Sequence, residues 1–188
     1  MTGIVLIGGK SRRFGRDKVL EQVGEKALIE HVMDVISPLF EDVLLIGHMR
    51  EGLETFRIIE DIYPGCGPLG GIFTALTHIT TDHCFVFAAD MPHLDSALIE
   101  YMISVSDDHD AVIPLWSQGR EPLHAIYHRR ALPFAGRLLE RSQYKIFNLL
   151  GSIDTLYINE DTLRRFTDPK IAFSNINTVH DIHHALKR

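Results

Sequence analysis

The stretch Leu6-Ile7-Gly8-Gly9-Lys10-Ser11-Arg12-Arg13-Phe14-Gly15-Arg16-Asp17-Lys18 joins an apolar run to a glycine-rich loop with five cations in nine residues. The chain as a whole carries a formal net charge of −6, so this positive charge is local. Gly8 and Gly9 let a ligand approach the backbone and let neighbouring amides point into one small volume, a nest that suits an anion. Guanidinium forks match phosphate oxygens in pairs, and a lysine ammonium acts as a mobile point charge. Such a loop offers a grip on a polyphosphate. A basic run taken without its glycines reads equally as a solvated turn. The spacing fits neither the Walker phosphate loop nor the dinucleotide pattern G-x-G-x-x-G.

Three further groups bear chemistry. Asp90-Met91-Pro92 releases an acid at the end of a buried apolar run, where a carboxylate can hold a hard cation; the alternative is a cap for the next helix. Pro64-Gly65-Cys66-Gly67-Pro68-Leu69-Gly70-Gly71 is a second glycine loop, preceded by Glu60-Asp61, and taken bare it is only a turn. Asn175 and Asn177 project to one face if their segment is extended and offer amide donors and acceptors to a polar ligand. Otherwise they are turn residues before a helix cap at Thr178. His180, Asp181, His183 and His184 imitate a metal cluster, but no third strong ligand is spaced to join His180 and His184.

Strands and helices alternate around these groups. Apolar runs at 3–7, 43–46, 57–61, 84–89, 111–115 and 122–128 read as strands, with 155–158 as an edge strand and 171–178 as a closing extended segment. Helical spacing recurs at 27–36, in the run from Ile72 to Ile79, from Leu94 to Met102, and at 131–139, 144–150 and 179–186. The order predicts a three-layer α/β fold, mostly parallel, with room for an antiparallel edge strand. In such sheets the ligand cleft opens at the carboxyl ends of the strands. Both glycine loops belong there as two walls of one cleft.

The 188 residues suffice for one domain, spanning residues 1–188, and form no repeats. Mild acidity argues against a nucleic-acid binder, whose phosphate contacts need an extended basic face. No apolar run is long enough for a bilayer, so no membrane partner is expected. The first strand begins almost at Met1, leaving no room for a signal peptide, which predicts a cytoplasmic protein. Cys66 and Cys84 lack metal-ligand spacing and are expected as reduced thiols.

The N-terminal stretch resembles the signature L-A-G-G-x-S-x-R-M-G-x-D-K of nucleotidyltransferases that activate small molecules with NTPs. In particular it resembles the molybdenum cofactor guanylyltransferase (MobA-type) family, which joins GMP from GTP to molybdopterin. Ile7 replaces the usual Ala and Phe14 the usual Met. Asp61, Gly67, Pro68, Leu69, Gly71 and Ile72 match the family's D-(x)n-G-P-L-x-G-I, and Asp90 matches its D-x-P. Arg120-Glu121-Pro122-Leu123 is similar to an R-x-x-P-L segment before a strand on the acceptor side. Phe173, Asn175, Asn177, Thr178 and Asp181 match the ending F-x-N-x-N-T-x-x-D.

The resemblance implies a Rossmann-like nucleotidyltransferase fold. It implies that Leu6, Ile7, Gly8 and Gly9 lie against the nucleotide, that Arg13 and Gly15 face the triphosphate, and that Lys18 neutralises phosphate charge. Asp61 and Gly67 would contact the nucleotide, Asp90 would bind Mg2+, and Asn175 and Asn177 would lie near the acceptor. Arg13, Lys18 and Asp90 are thus the expected catalytic set, with GTP and molybdopterin or its metal-loaded form (the molybdenum cofactor) as substrates. Transient contact with molybdoenzymes or their chaperones stays open. The family often carries Asn where the base is read, but Gly47-His48-Met49-Arg50 has none; His48 could supply a hydrogen bond instead. The alternatives are a cytidylyl- or other nucleotidyltransferase acting on a pterin or sugar phosphate, and a nucleotide-binding protein without turnover.

Overall fold

The computed structural model describes residues 1–8 and 18–176. The N-terminal apolar run forms strand β1 (Thr2–Leu6), and after a 3₁₀ turn at Lys18–Leu20 a small hairpin follows, β2 (Gln22–Val23) and β3 (Lys26–Ala27). Helix α1 (Leu28–Ile36) leads to β4 (Val43–Ile46) and the two-residue β5 (Ile58–Ile59). Next come α2 (Pro68–His78), β6 (His83–Ala88), α3 (Ser96–Ser104) and β7 (Ala111–Trp116), the last extended by a short antiparallel β8 (Gly119–Arg120). β9 (His124–His128), α4 (Leu132–Glu140), α5 (Ile146–Leu150), β10 (Thr155–Ile158), α6 (Glu160–Leu163) and α7 (Pro169–Ala172) complete the order.

The main sheet runs β10-β7-β9-β6-β1-β4-β5. β5, β4, β1 and β6 are parallel neighbours, and β7 and β10 form a second parallel pair. Between these groups β9 runs antiparallel to both β6 and β7. The antiparallel component expected at an edge is therefore found at the margin as β8 and also inside the sheet as β9. β10 lies at the edge, as its sequence suggests.

Alternation along the strands divides the core between two helical layers. Val5 and Phe87 face α1, α3, α6 and α7, whereas Ile4 and Val86 face α2, α4 and α5. Each fully buried Leu, Ile or Phe contributes about 1.5–3 kcal/mol by leaving water. β6 is bonded to a strand on both sides, and its Phe85 and Phe87 rings stack at 4.4 Å with 4° between planes. The residue that follows this strand is consequently delivered from a rigid support.

Several expected boundaries differ, and two bear on the site. Residues 171–178 do not begin as a strand: Asp168 caps α7 by accepting from the Lys170 amide at 3.0 Å, and Pro169 fits the first helical turn. Leu94 precedes α3, which starts at Ser96 under a cap from Asp95, whose Oδ1 accepts from the Leu98 amide at 2.9 Å. Asp90 does not serve as that cap. The terminal helix expected at 179–186, with its histidine group, lies outside the described residues.

Candidate active site

β1 and β6 pair in register from Thr2 with Cys84 to Leu6 with Ala88, so the chain leaves both strands side by side at the carboxyl edge. There Lys18, 72 residues away in sequence, places its Nζ 2.7 Å from Asp90 Oδ2. Their side chains are 14% and 29% exposed, a partly shielded pair at the mouth of the sheet. Val19 and Met91 beside them are buried in the α1/α3 face of the core, which holds both charged groups in place from below. The cation from the first loop and the carboxylate from mid-chain converge, as a shared role for Lys18 and Asp90 would need.

The neighbouring loops meet the same edge. Ile7 donates its amide to Ile46 O at 3.0 Å and continues the β1–β4 ladder to Gly8. Gly47 has φ +151°, and a Cβ there would lie 2.8 Å from Ile7 Cγ1 and 3.0 Å from the Gly8 amide nitrogen, so a side chain is excluded. Arg50 donates from Nη2 to Ile7 O at 2.5 Å, bringing a further cation against the start of the glycine loop. On β5's exit, Asp61 Oδ1 accepts from the Tyr63 amide at 3.1 Å and from the buried Thr74 hydroxyl at 2.8 Å. Asp61 thereby ties the second glycine loop to α2, which begins after Gly67 at φ +68° with Pro68 in its first turn.

On the other side of Asp90 the chain returns from the C-terminus. The Ile176 amide donates to Asp90 O at 2.9 Å, so exposed Asn175 sits next to the Lys18–Asp90 pair. Three residues earlier, Phe173 lies 6.0 Å from the Trp116 ring and 5.3 Å from His124. Trp116 Nε1 donates to Glu121 Oε1 at 2.7 Å. Burial raises the Glu121 carboxyl above its usual range, and the indole bond opposes that rise in part. His124 is fully buried among Phe85, Phe87 and Phe173, and burial pushes its imidazole down to about 3.

Residues 3–155 match the family model described as the MobA-like NTP transferase domain. The chain belongs to the MobA-like NTP transferase family. It is 34% identical over 183 residues to a probable molybdenum cofactor guanylyltransferase of Pelotomaculum thermopropionicum, covering 96% of this chain and 89% of that protein. The crystal structure of molybdopterin-guanine dinucleotide biosynthesis protein A from Archaeoglobus fulgidus superposes with a TM-score of 0.85 at 30% identity, covering 100% of this chain and 97% of that one. The 2-C-methyl-D-erythritol 4-phosphate cytidylyltransferase of Thermus thermophilus shares the fold, with a TM-score of 0.69 at 11% identity over 98% and 96% of the two chains.

In this MobA-like transferase the structure gathers Leu6, Ile7, Gly8, Lys18, Asp61, Gly67, Asp90 and Asn175 at one sheet edge. Gly9, Arg13, Gly15 and Asn177 lie outside the described residues. MobA-like transferases use a divalent metal, and Asp90 suits one: it is a hard oxygen donor whose Oδ1 is not used by the pair with Lys18. Among the described residues no group of three or more His, Cys, Asp or Glu could hold a metal. Asp90 alone would leave most of such a cation's shell to other ligands, and magnesium commonly takes water and substrate phosphates. His48 faces Glu60, its Nδ1 3.2 Å from Oε1.

Sequence reading gave no role to three residues that the structure brings to this edge: Arg50, Trp116 and Glu121. A cation four residues beyond a strand's carboxyl end was a usable signal for the first. Trp116 and Glu121 carry none, because their bond depends on the β7–β8 turn. Cys66 and Cys84 are free thiols, and burial pushes Cys84 up to about 12, which keeps it inert. Among the described residues no helix is long and apolar enough to cross a membrane.

Proposed function

We propose that this protein transfers GMP from GTP to the terminal phosphate of molybdopterin or its metal-loaded form, giving the guanine dinucleotide cofactor and pyrophosphate. The observation that carries this reading is the 2.7 Å approach of Lys18 to Asp90 between the two glycine-bearing loops. Identity of 30–35% to proteins named for that activity supports it.

The acceptor phosphate is ionised at neutral pH, so the reaction needs no general base. One acceptor oxygen forms a bond to the α-phosphorus of GTP. The bond from that phosphorus to the bridging oxygen breaks, and pyrophosphate leaves with the electron pair. Alignment and charge neutralisation then supply the rate. Lys18 turns from Asp90 to the β- and γ-phosphate oxygens, and Arg13 joins it there. Asp90, relieved of the ammonium, would hold Mg2+, which would supply charge neutralisation on the phosphates. Leu6, Ile7, Gly8, Gly9 and Gly15 line the nucleotide, Asp61 and Gly67 its second wall. Asn175 and Asn177 face the acceptor. A cytoplasmic location belongs to this reading, since the reaction draws on GTP.

The test incubates the protein with Mg2+, molybdopterin and each NTP in turn, reading pyrophosphate release and identifying the dinucleotide by mass. The guanine dinucleotide is the expected product. Release with CTP alone assigns a cytidylyltransferase, and tight GTP binding with no release in the presence of acceptor refutes the enzymatic reading.

A further inference from the structure

The Trp116–Glu121 pair lies beyond the triphosphate grip, at the same carboxyl edge. The Glu121 amide donates to Pro114 O at 3.0 Å, near the exit of β7, and the His124 amide donates back to Glu121 O at 3.1 Å where β9 begins. One residue before β9, Leu123 O accepts from the Ala88 amide at 2.9 Å, two positions short of Asp90. The segment 173–176 bridges the two places, with Phe173 against Trp116 and the Ile176 amide on Asp90 O. Three residues span at most about 11 Å. The backbone that joins the Trp116 and Asp90 neighbourhoods is therefore about the length of one small molecule.

Its chemistry is specific. Oε1 is oriented by the indole N–H at 2.7 Å, and that bond does not use Oε2. A carboxylate so fixed is a two-oxygen acceptor in a half-buried place, suited to two parallel N–H donors from a planar ring. The 2-amino-4-oxo pyrimidine edge of a pterin presents that pair, the ring N3–H beside the exocyclic amino group. We propose that Glu121, held by Trp116, reads the 2-amino-4-oxo edge of the acceptor pterin and is a specificity-determining residue for it. The inference rests on the pterin acceptor proposed above.

A site built to accept from an amino group rejects the analogue that lacks it, because the buried acceptor is left facing another acceptor. The test measures binding of a 6-substituted pterin phosphate and of its lumazine counterpart, which bears oxygen at position 2. Both are titrated into the protein with Mg2+ and a non-hydrolysable GTP analogue. Wild type should prefer the pterin at least 10-fold, whereas Glu121→Gln should bind it 10- to 100-fold more weakly, lose the preference and keep GTP affinity. Trp116→Phe, which keeps the carboxylate, should retain the preference with a smaller loss of affinity.

Equal binding of pterin and lumazine by wild type overturns the proposal without any variant having to fold, and so does an undiminished preference in Glu121→Gln. A wild type that takes GTP but neither ring overturns both this role and the pterin acceptor. Guanine dinucleotide formation with no pterin-over-lumazine preference overturns only the role of Glu121.

Discussion

Removing the ammonium of Lys18 separates its two duties. In the structure it neutralises Asp90 across 2.7 Å from a position only 14% exposed, and in the proposed reaction it moves to the leaving phosphates. The static pair contributes modestly: it is partly shielded, but Asp90, 29% exposed, can be hydrated once alone, so losing the pair costs about 1 kcal/mol, the upper end for exposed pairs. For a chain of this size that is a fall in Tm of about 2–4 °C. A charge clamp on the departing pyrophosphate is worth about 2–4 kcal/mol in the transition state, a rate loss of roughly 30- to 900-fold. Lys18→Ala should therefore remain folded by circular dichroism and lose turnover far beyond its loss of stability. Lys18→Met, which keeps most of the aliphatic stem, should lose as much. Pyrophosphate release at saturating GTP, acceptor and Mg2+ gives the rate. A variant within threefold of wild type would remove Lys18 from the chemistry.

Asp90→Asn should keep the fold and lose at least about 100-fold in rate; calorimetry should also show that wild type binds Mg2+ weakly until GTP is added, and wild-type turnover in the variant would end the role of Asp90. Gly47→Ala forces a Cβ to within 2.8 Å of Ile7 Cγ1 at φ +151°, so urea unfolding should show a loss of about 1–3 kcal/mol. Unchanged stability would mean the β1 and β4 exits are not locked together. His124 stays neutral down to about pH 3 when folded, whereas in the unfolded chain it protonates near pH 6.5. Unfolding takes up a proton between those values, so stability falls as pH drops through that window, by about 2 kcal/mol at pH 5 from this group. His124→Phe should flatten the acid limb of Tm against pH, while His83 and His128, also lowered by burial, remain to titrate in both proteins. Parallel curves would contradict this.

The strands that carry the site were legible because buried parallel strands write themselves as apolar runs. The run at 43–46 became β4 with its bounds intact, and 84–89 became β6 within one residue. Strand direction leaves no such trace, so β9 could not be placed inside the sheet from its residues. Local capping overrode the extended reading near the C-terminus, where Asp168-Pro169 wins α7 from a β-compatible Ile171-Ala172. The β2–β3 hairpin was missed because two residues on each side give no period to read, and only Gly24 at φ +71° marks its turn. Lys18 and Asp90 were each legible as motif members. Their contact belongs to the β1–β6 register, which a one-dimensional pattern does not contain.

The reversed β9 has an evolutionary corollary. Every described residue proposed above to grip the nucleotide, from Leu6 to Asp90, is built on four neighbouring parallel strands and precedes the reversal. The reversal hands the remaining rim of the cleft to a hairpin tip between β7 and β9, closed by its own β8 ribbon. On the roles proposed above, substitutions confined to residues 117–122 should change which acceptor binds while leaving the upstream NTP grip intact.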